Sequence, residues 1–331
     1  MLEKPDLPDE QIIACIQSEY GLSIDRLTFL PLGADVDTAV YQVDAGQANY
    51  FLKLRRGLFD ETTLAVPQYL ASLGIQAIIA PIQPDSGKSW VVLDEYKLVL
   101  YPFIPGIDAY QKALSERQWI VFGQTLKAIH AAPIPPTLRV LLPVEQYSPL
   151  WRDMVKEFQA QVERMEYTDP VADQMASVMR SHRVEIDHLV RRAGLLAADL
   201  QARNLEFVLC HSDIHAGNIH LGPEDALYIV DWDNPILAPK ERDLMMIGGS
   251  PVWKEPQMVA LFYQGYGPAE VDRTALAYYR YERIIWDIAA YCEQLLASTA
   301  GGEDREQSLR YFASNFLPGH ELDLARQMDS E

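Results

Sequence analysis

The residues with the clearest chemical potential form an ordered group of carboxylates and one amide. The segment His211-Ser212-Asp213-Ile214-His215-Ala216-Gly217-Asn218 is followed, after a short apolar stretch, by Asp231. A carboxylate at the end of a strand can orient a hydroxyl group and accept its proton. An amide oxygen and a second carboxylate are hard ligands of the kind that Mg²⁺ prefers. This order of groups is the one that magnesium-dependent phosphoryl transfer requires.

The flanking sequence supports these assignments. Asp213 follows the apolar stretch 207–210, and Asp231 ends the apolar stretch 227–230, so each carboxylate lies where a strand opens into a loop. We expect His211 to brace the loop. Taken alone, Asp213 and Asn218 would also suit turns and Asp231 a helix cap. The ordered set favours chemistry, with Asp213 as the base and Asn218 and Asp231 as metal ligands.

Lys53 is the candidate for binding ATP phosphates. It is the one polar residue in the strand-like segment Tyr50-Phe51-Leu52-Lys53-Leu54. A lysine on the third strand of a kinase-type sheet binds the α- and β-phosphates and pairs with a helix glutamate, for which Glu61 is the nearest candidate. The alternative is an edge-strand lysine facing solvent. Beside the catalytic segment, the phosphate-binding role is favoured.

Two loops are candidates for further nucleotide contacts. The segment Gly33-Ala34-Asp35-Val36-Asp37-Thr38 joins the first two predicted strands, where a phosphate-covering loop is expected, but it has a single glycine and two aspartates. The segment Tyr101-Pro102-Phe103-Ile104 is placed to offer backbone groups to adenine in an apolar slot. The alternative for this segment is an ordinary linker.

Composition limits the partners and the compartment. The 331 residues have a net charge of -19, so nucleic acid and anionic membranes are poor partners and a cationic small molecule is attracted. The three cysteines have no ligand spacing, and neither a signal peptide nor an apolar run long enough for a membrane helix is present. We expect a cytoplasmic monomer without a zinc site or a disulfide framework.

Periodicity predicts an α+β chain with two lobes. Five strands with one helix between the third and fourth predict a small antiparallel sheet in the first hundred residues, and long amphipathic helices are predicted over 149–166, 170–203 and from 240 onward. We therefore predict a β-rich N-terminal nucleotide-binding lobe over 1–103, a hinge at about 101–106, and a mainly helical lobe with the catalytic loop and substrate site over 104–331.

One predicted helix carries candidate substrate-binding residues. Tyr279, Glu282 and Trp286 follow three- and four-residue spacing within 272–298, and Asp287 lies next to that face. An acidic and aromatic face suits an ammonium-bearing ring through ion pairing and cation–π contact. The alternative is that the aromatic residues are core and that Glu282 pairs with an arginine.

These motifs together resemble the aminoglycoside phosphotransferase family, which has the protein-kinase-like fold. The matching segments are Lys53 in its strand, His211 to Asn218, Ile229 to Asp233, and Arg242-Asp243-Leu244; the narrower resemblance described next also rests on Cys210 to Asn218, Pro239 to Met245 and Tyr278 to Ala289. The resemblance implies ATP and Mg²⁺ as cofactors, with Asp213 as base, Asn218 and Asp231 at Mg²⁺, Lys53 at the ATP phosphates, and Asp243 steadying the catalytic loop. The phosphate-covering loop departs from the protein-kinase pattern.

Within the family, the chain most resembles the members that phosphorylate spectinomycin. The expected activity is therefore ATP-dependent transfer of phosphate to a hydroxyl of this aminocyclitol antibiotic, which confers resistance. One alternative is a kinase of the same fold for another metabolite, such as an amino alcohol, a sugar or a homoserine-like compound. An alternative of another class is an inactive nucleotide-binding regulatory protein.

Overall fold

A five-stranded antiparallel sheet fills the N-terminal part of the chain, as the alternating pattern predicts. The computed structural model describes residues 4–32, 37–57, 60–88, 90–298 and 302–329. The strand order is β1-β2-β3-β5-β4. The strands span Arg26–Leu30 (β1), Thr38–Ala45 (β2), Ala48–Arg55 (β3), Val91–Leu93 (β4) and Tyr96–Pro102 (β5).

One face of this sheet forms a core with the first helix. Helix α1 (Asp9–Tyr20) ends at Gly21, whose φ of 63° is the left-handed conformation that glycine adopts at low cost. Its residues Ile12 and Ile16 are fully buried against the sheet, together with the alternate residues of β3. Burial of this face fixes the register of the strands, because a slip by one residue would turn every apolar side chain outward.

The remaining elements up to residue 143 are three helices and one short strand, and the described chain beyond it is mainly helical. The first group comprises α2 (Thr62–Ser72), β6 (Ile107–Asp108), α3 (Glu116–His130) and α4 (Pro136–Arg139). The second comprises α5 (Leu150–Val162), α6 (Pro170–Ser181), α7 (Arg183–Gln201), β7 (Val208–Cys210), β8 (Ile219–Leu221), β9 (Leu227–Ile229), β10 (Ile236–Ala238), α8 (Glu241–Leu244), α9 (Pro256–Tyr266), α10 (Arg273–Leu296), α11 (Gly302–Ser314) and α12 (Glu321–Met328).

The chain divides into two compact units. The first consists of Met1–Pro143 and His215–Ile236, and the second of Val144–Ile214 and Leu237–Glu331. The first unit contains the five-stranded sheet and a three-stranded sheet of order β6-β8-β9. In the second unit, α10 packs against α5, α6, α7, α11 and α12, so it is the central helix of that unit.

Most of the predicted elements are present with small shifts in their ends. Ser115 and Gln118 have the spacing of a capping box, which predicts a helix start there, and this box is formed at the start of α3. The single helix predicted over 170–203 is wrong, because the chain breaks into α6 and α7 at His182, which has φ -103° and ψ 17°. The ring of His182 stacks on Phe316, with 4.3 Å between ring centroids, a contact that no local helix signal predicts.

The predicted fold class is confirmed, since the chain has an antiparallel N-terminal sheet and a helical C-terminal portion. The lobe boundary near residue 103 and the hinge at about 101–106 stay predictions. None of the helices in the described ranges combines the length and the apolar character that a membrane crossing requires. Within the predicted phosphate-covering loop, residues 33–36 lie outside the described residues.

Candidate active site

Lys53 lies on β3 of the first unit and contacts two carboxylates. Its neighbours Leu52 and Leu54 are buried on the core face, so the alternation of the strand directs Lys53 to the opposite face. Its Nζ lies 2.8 Å from Oδ1 of Asp231 and 3.0 Å from the carboxylate of Asp233. Burial alone would lower the pKa of Lys53, but attraction by the two aspartates outweighs it and raises that pKa. The lysine is therefore held as a cation.

Arg55 adds a second cation to this group. Its Nη1 lies 2.9 Å from Oδ2 of Asp233, and it is on the same face of β3 as Lys53 because the two are separated by one residue. Lys53, Arg55, Asp231 and Asp233 thus form a cluster in which two positive charges balance two negative charges. Arg55 and Asp233 are site residues that the sequence motifs did not predict, although the two-residue spacing from Lys53 on β3 was a signal for Arg55.

Asn218 and Asp231 lie at the same end of the β8–β9 pair. Strands β8 and β9 are antiparallel, and the N–H of Val230 donates to the carbonyl of Asn218 at 3.0 Å. Asp231 has φ 66°, a left-handed conformation that aspartate tolerates better than most residues. Asp231 keeps 47% of its side chain exposed. A carboxylate and an amide oxygen in adjacent positions fit a Mg²⁺ ion, which takes oxygen ligands.

The predicted partner of Lys53 is placed differently. Glu61 lies one residue before α2, and within the described part of the chain it forms no ion pair with Lys53. The two aspartates take the place that the sequence analysis gave to this glutamate. They reach the lysine because the loop after β9 brings them to it from a distant part of the sequence, which no local pattern reveals.

The predicted adenine-binding segment 101–104 includes the last two residues of β5 and the two residues that follow the strand. Pro102 has no N–H group, the N–H of Phe103 donates to the carbonyl of Asn49 at 3.1 Å, and His220 lies 3.0 Å from the carbonyl oxygen of Ile104. Two of the backbone groups that adenine would use are therefore already engaged within the first unit. The contacts predicted for Tyr101, Pro102, Phe103 and Ile104 stay predictions.

Asp213 lies in the second unit, in a loop that a buried aspartate holds. The carboxylate of Asp243 accepts hydrogen bonds from the N–H groups of His211, at 2.9 Å, and Ser212, at 2.7 Å. Ser212 has φ 71°, so the chain turns sharply just before Asp213. The Nδ1 atom of His211 accepts a hydrogen bond from the N–H of Asp213 at 3.3 Å. Asp243 and His211 are thus placed to fix the backbone on which Asp213 stands.

We expect Asp243→Ala to destabilise the second unit, because it leaves the N–H groups of His211 and Ser212 without this acceptor. His211 is fully buried and Ser212 is nearly so, so the loss of this acceptor for two buried donors should cost roughly 2–6 kcal/mol of unfolding free energy. The measurement is the thermal unfolding midpoint. Asp243→Asn keeps one acceptor oxygen and is the matched control, and equal midpoints for the two variants would contradict the role of the carboxylate.

The helix face predicted to bind substrate divides into two parts. Tyr279 is buried, and its ring lies 5.5 Å from the guanidinium of Arg242. Glu282 pairs with Arg152 at 2.9 Å, and burial raises the pKa of Glu282 to about 7 although Arg152 lowers it. This is the geometry of the packing alternative for Tyr279 and Glu282, whose side chains are already engaged inside the second unit.

Trp286 and Asp287 are instead linked to Asp213 by Arg283, a residue that the sequence motifs did not predict to be part of the site. Arg283 forms an ion pair with Asp213, lies 3.2 Å from Asp287, and stacks over Trp286 with 4.6 Å from its guanidinium carbon to the ring centroid. Attraction by Asp287 and Asp213 outweighs the effect of burial and raises the pKa of Arg283. The four-residue spacing of Arg283 and Asp287 predicts an ion pair on a helix. No local spacing predicts the contact of Arg283 with Asp213.

A family model now relates these residues to known proteins. The model described as the phosphotransferase enzyme family matches residues 28–279, a range that includes Lys53, Asp213, Asn218, Asp231 and Asp243. The chain belongs to this phosphotransferase family. It is accordingly a kinase-like enzyme, and the resemblance that the motifs indicate is confirmed.

Solved structures similar to this phosphotransferase cover nearly the whole chain. Spectinomycin phosphotransferase APH(9)-Ia, in complex with ADP and spectinomycin, is 37% identical over 98% of this chain and 99% of that chain, with a TM-score of 0.92. Its AMP-bound complex is 37% identical over 97% and 99%, with a TM-score of 0.87. These structures support the protein-kinase-like fold class. No match was found among curated protein sequences.

More distant relatives of this phosphotransferase show the fold alone. Macrolide 2'-phosphotransferase MphH from Brachybacterium faecium is 18% identical over 92% of this chain and 98% of that chain, with a TM-score of 0.55. An identity this low carries no information about the acceptor, because one fold hosts many substrates.

Proposed function

We propose that this phosphotransferase transfers the γ-phosphate of ATP, with Mg²⁺, to a hydroxyl group of spectinomycin. The observation that carries the proposal is the 37% identity to spectinomycin phosphotransferase APH(9)-Ia over 98% of the chain. Macrolide 2'-phosphotransferase MphH, by contrast, is 18% identical and is named for a different acceptor. The identity to one kind of enzyme, sustained along nearly the whole sequence, favours its substrate.

The first unit supplies the groups for the nucleotide. Lys53 is a half-buried cation on the face of the sheet opposite the core, and it would bind phosphate oxygens in competition with Asp231 and Asp233. Asn218 and Asp231 would hold Mg²⁺, with Asp233 beside them. When bound, this ion supplies neutralisation of the charge on the phosphates.

The second unit supplies the base. Asp213 accepts the proton of the acceptor hydroxyl, whose oxygen bonds to the γ-phosphorus while the bond from phosphorus to the bridging oxygen of ADP breaks. Asp243 accepts hydrogen bonds from the N–H groups of His211 and Ser212. These bonds fix the backbone just before Asp213 and thereby orient its side chain. Orientation of this kind is a large part of catalysis in phosphoryl transfer, because the protein does little covalent chemistry.

The charge of the protein suits a cationic acceptor. The net charge of -19 attracts ammonium groups over long distances, and the attraction weakens with salt. We also propose that the enzyme acts as a cytoplasmic monomer with neither nucleic acid nor membrane as a partner. Its three cysteines are free thiols in the structure, which suits a reducing compartment.

The proposal predicts a narrow acceptor range. With ATP and Mg²⁺, purified protein should release ADP with spectinomycin and far less with kanamycin, choline or homoserine. Release of ADP is measured in a coupled assay, and each compound is run against a blank without acceptor. Turnover of choline or homoserine without turnover of spectinomycin would contradict the proposal and favour a metabolite kinase. No turnover with any compound would favour an inactive nucleotide-binding protein.

A further inference from the structure

Arg283 occupies a place in the second unit that has the composition of a cation site. Two carboxylates, those of Asp213 and Asp287, and the face of Trp286 surround its guanidinium group. Two carboxylates and an aromatic ring are also the groups that bind organic ammonium ions. The Arg283 side chain is 19% exposed.

Two other arginines of α5 and α10 are held differently. Arg152 donates to the carbonyls of Tyr147 and Ser148 as well as to Glu282, and Arg280 donates to the carbonyls of Met245 and Ile247. Backbone carbonyls fix those side chains as parts of the framework. The contacts of Arg283 are to the carboxylates and to the ring of Trp286, and such contacts can be exchanged for those of another cation.

The ion pair with Arg283 conflicts with the proposed role of Asp213. A base must present a carboxylate oxygen to the acceptor hydroxyl, and a neighbouring guanidinium both occupies the carboxylate and favours its ionised form. In the structure Arg283 pairs with Oδ1 of Asp213, so loosening this pair makes that oxygen available and strengthens the carboxylate as a proton acceptor. A ligand cation that binds Asp287 and Trp286 supplies the free energy for this exchange, because it replaces the contacts that Arg283 gives up.

We propose that Arg283 is an internal cation that a positively charged acceptor displaces, so that binding of the acceptor releases Asp213 for catalysis. This inference rests on the proposed function for the role of Asp213. Arg283 is a positioning residue in this scheme, since it acts through Asp213. A neutral compound or water cannot displace it, so the enzyme is restrained from transferring phosphate to water.

The first test is hydrolysis of ATP without acceptor. In that reaction a water oxygen bonds to the γ-phosphorus, the bond to the bridging oxygen of ADP breaks, and Asp213 accepts the proton. Arg283→Gln and Arg283→Met should each raise this rate by about tenfold, whereas Arg283→Lys should keep it near the wild-type rate. A framework arginine predicts the opposite sign, because its loss would lower hydrolysis together with transfer.

The second test is affinity for spectinomycin, measured by calorimetry without nucleotide. Arg283→Gln removes the internal competitor and should tighten binding by about tenfold, while Arg283→Lys should leave it within a few-fold of wild type. The matched control is Arg183→Gln, because Arg183 also lies between two carboxylates, at 3.3 Å from Glu163 and 3.8 Å from Asp187, and neither of these is Asp213. It should change neither quantity.

The outcomes separate this inference from the proposed function. Raised hydrolysis in Arg283→Gln with no phosphorylation of spectinomycin by wild type supports the inference and rejects the acceptor. Phosphorylation of spectinomycin by wild type, with unchanged or weaker binding and no raised hydrolysis in Arg283→Gln, rejects the inference and keeps the acceptor. Thermal unfolding of each variant checks folding, and Arg283→Met, which keeps apolar contact with Trp286, replaces Arg283→Gln if the latter unfolds.

Discussion

Asp213→Asn is expected to lower kcat for phosphate transfer by roughly 10²–10⁴-fold, because the amide cannot accept the hydroxyl proton. The substitution preserves the size of the side chain, and the N–H of residue 213 still donates to His211. Binding of ATP should change little, since the predicted phosphate contact belongs to Lys53 and the predicted Mg²⁺ ligands are Asn218 and Asp231. The measurements are steady-state turnover and nucleotide affinity by calorimetry.

A matched control tests whether charge alone explains that loss. Asp187 is an exposed aspartate of the same unit, paired with Arg183 at 3.8 Å, and Asp187→Asn should keep wild-type turnover. If Asp213→Asn turned over at a rate near that of wild type, Asp213 would be removed from the role of base.

The second large effect is expected at Asp231. Loss of the Asp231 carboxylate should weaken binding of Mg²⁺, and the nucleotide phosphates are then poorly neutralised. Asp231→Ala should therefore lower kcat/KM by roughly 10²–10³-fold. Asn218→Ala should lose less, since an amide oxygen contributes less to holding Mg²⁺ than a carboxylate. The dependence of the rate on Mg²⁺ concentration is the measurement, and both variants should need more of the ion.

The backbone at Asp231 provides a control within the same position. Its φ of 66° is unfavourable for alanine, whereas asparagine adopts this conformation readily. Asp231→Asn should therefore lose activity while keeping the thermal stability of wild type. Asp44→Asn, which removes a carboxylate paired with Arg26 at the sheet surface, should keep both. Unchanged Mg²⁺ dependence in Asp231→Ala and Asn218→Ala would contradict the metal site.

The elements were predictable where a local pattern carries the information. The run of aromatic and apolar residues predicted the strand of Lys53, and the Ser115–Gln118 capping box marks the start of α3. The break at His182 was not predictable, since neither proline nor glycine marks it and the stacking partner Phe316 lies far along the chain.

The candidate site was predictable by residue type and less so by partner. The motif residues were named from spacing, but the aspartate partners of Lys53 and the Arg283 partner of Asp213 depend on contacts across long stretches of sequence. Glu282 was named as a candidate for substrate binding, but it is paired inside the second unit. An acidic residue among aromatic ones suits a ligand site and a buried ion pair equally well. Its pairing with Arg152 separates these alternatives, and only the structure shows it.

The most direct test of the account is the mass of spectinomycin after incubation with the protein, ATP and Mg²⁺. We expect a single added phosphate on the drug, with no such product from kanamycin, choline or homoserine and none from Asp213→Asn. A sensitive bacterium that expresses the wild-type chain should also survive spectinomycin. Unmodified spectinomycin, alongside phosphorylation of another compound in the same panel, would contradict the assignment of the acceptor.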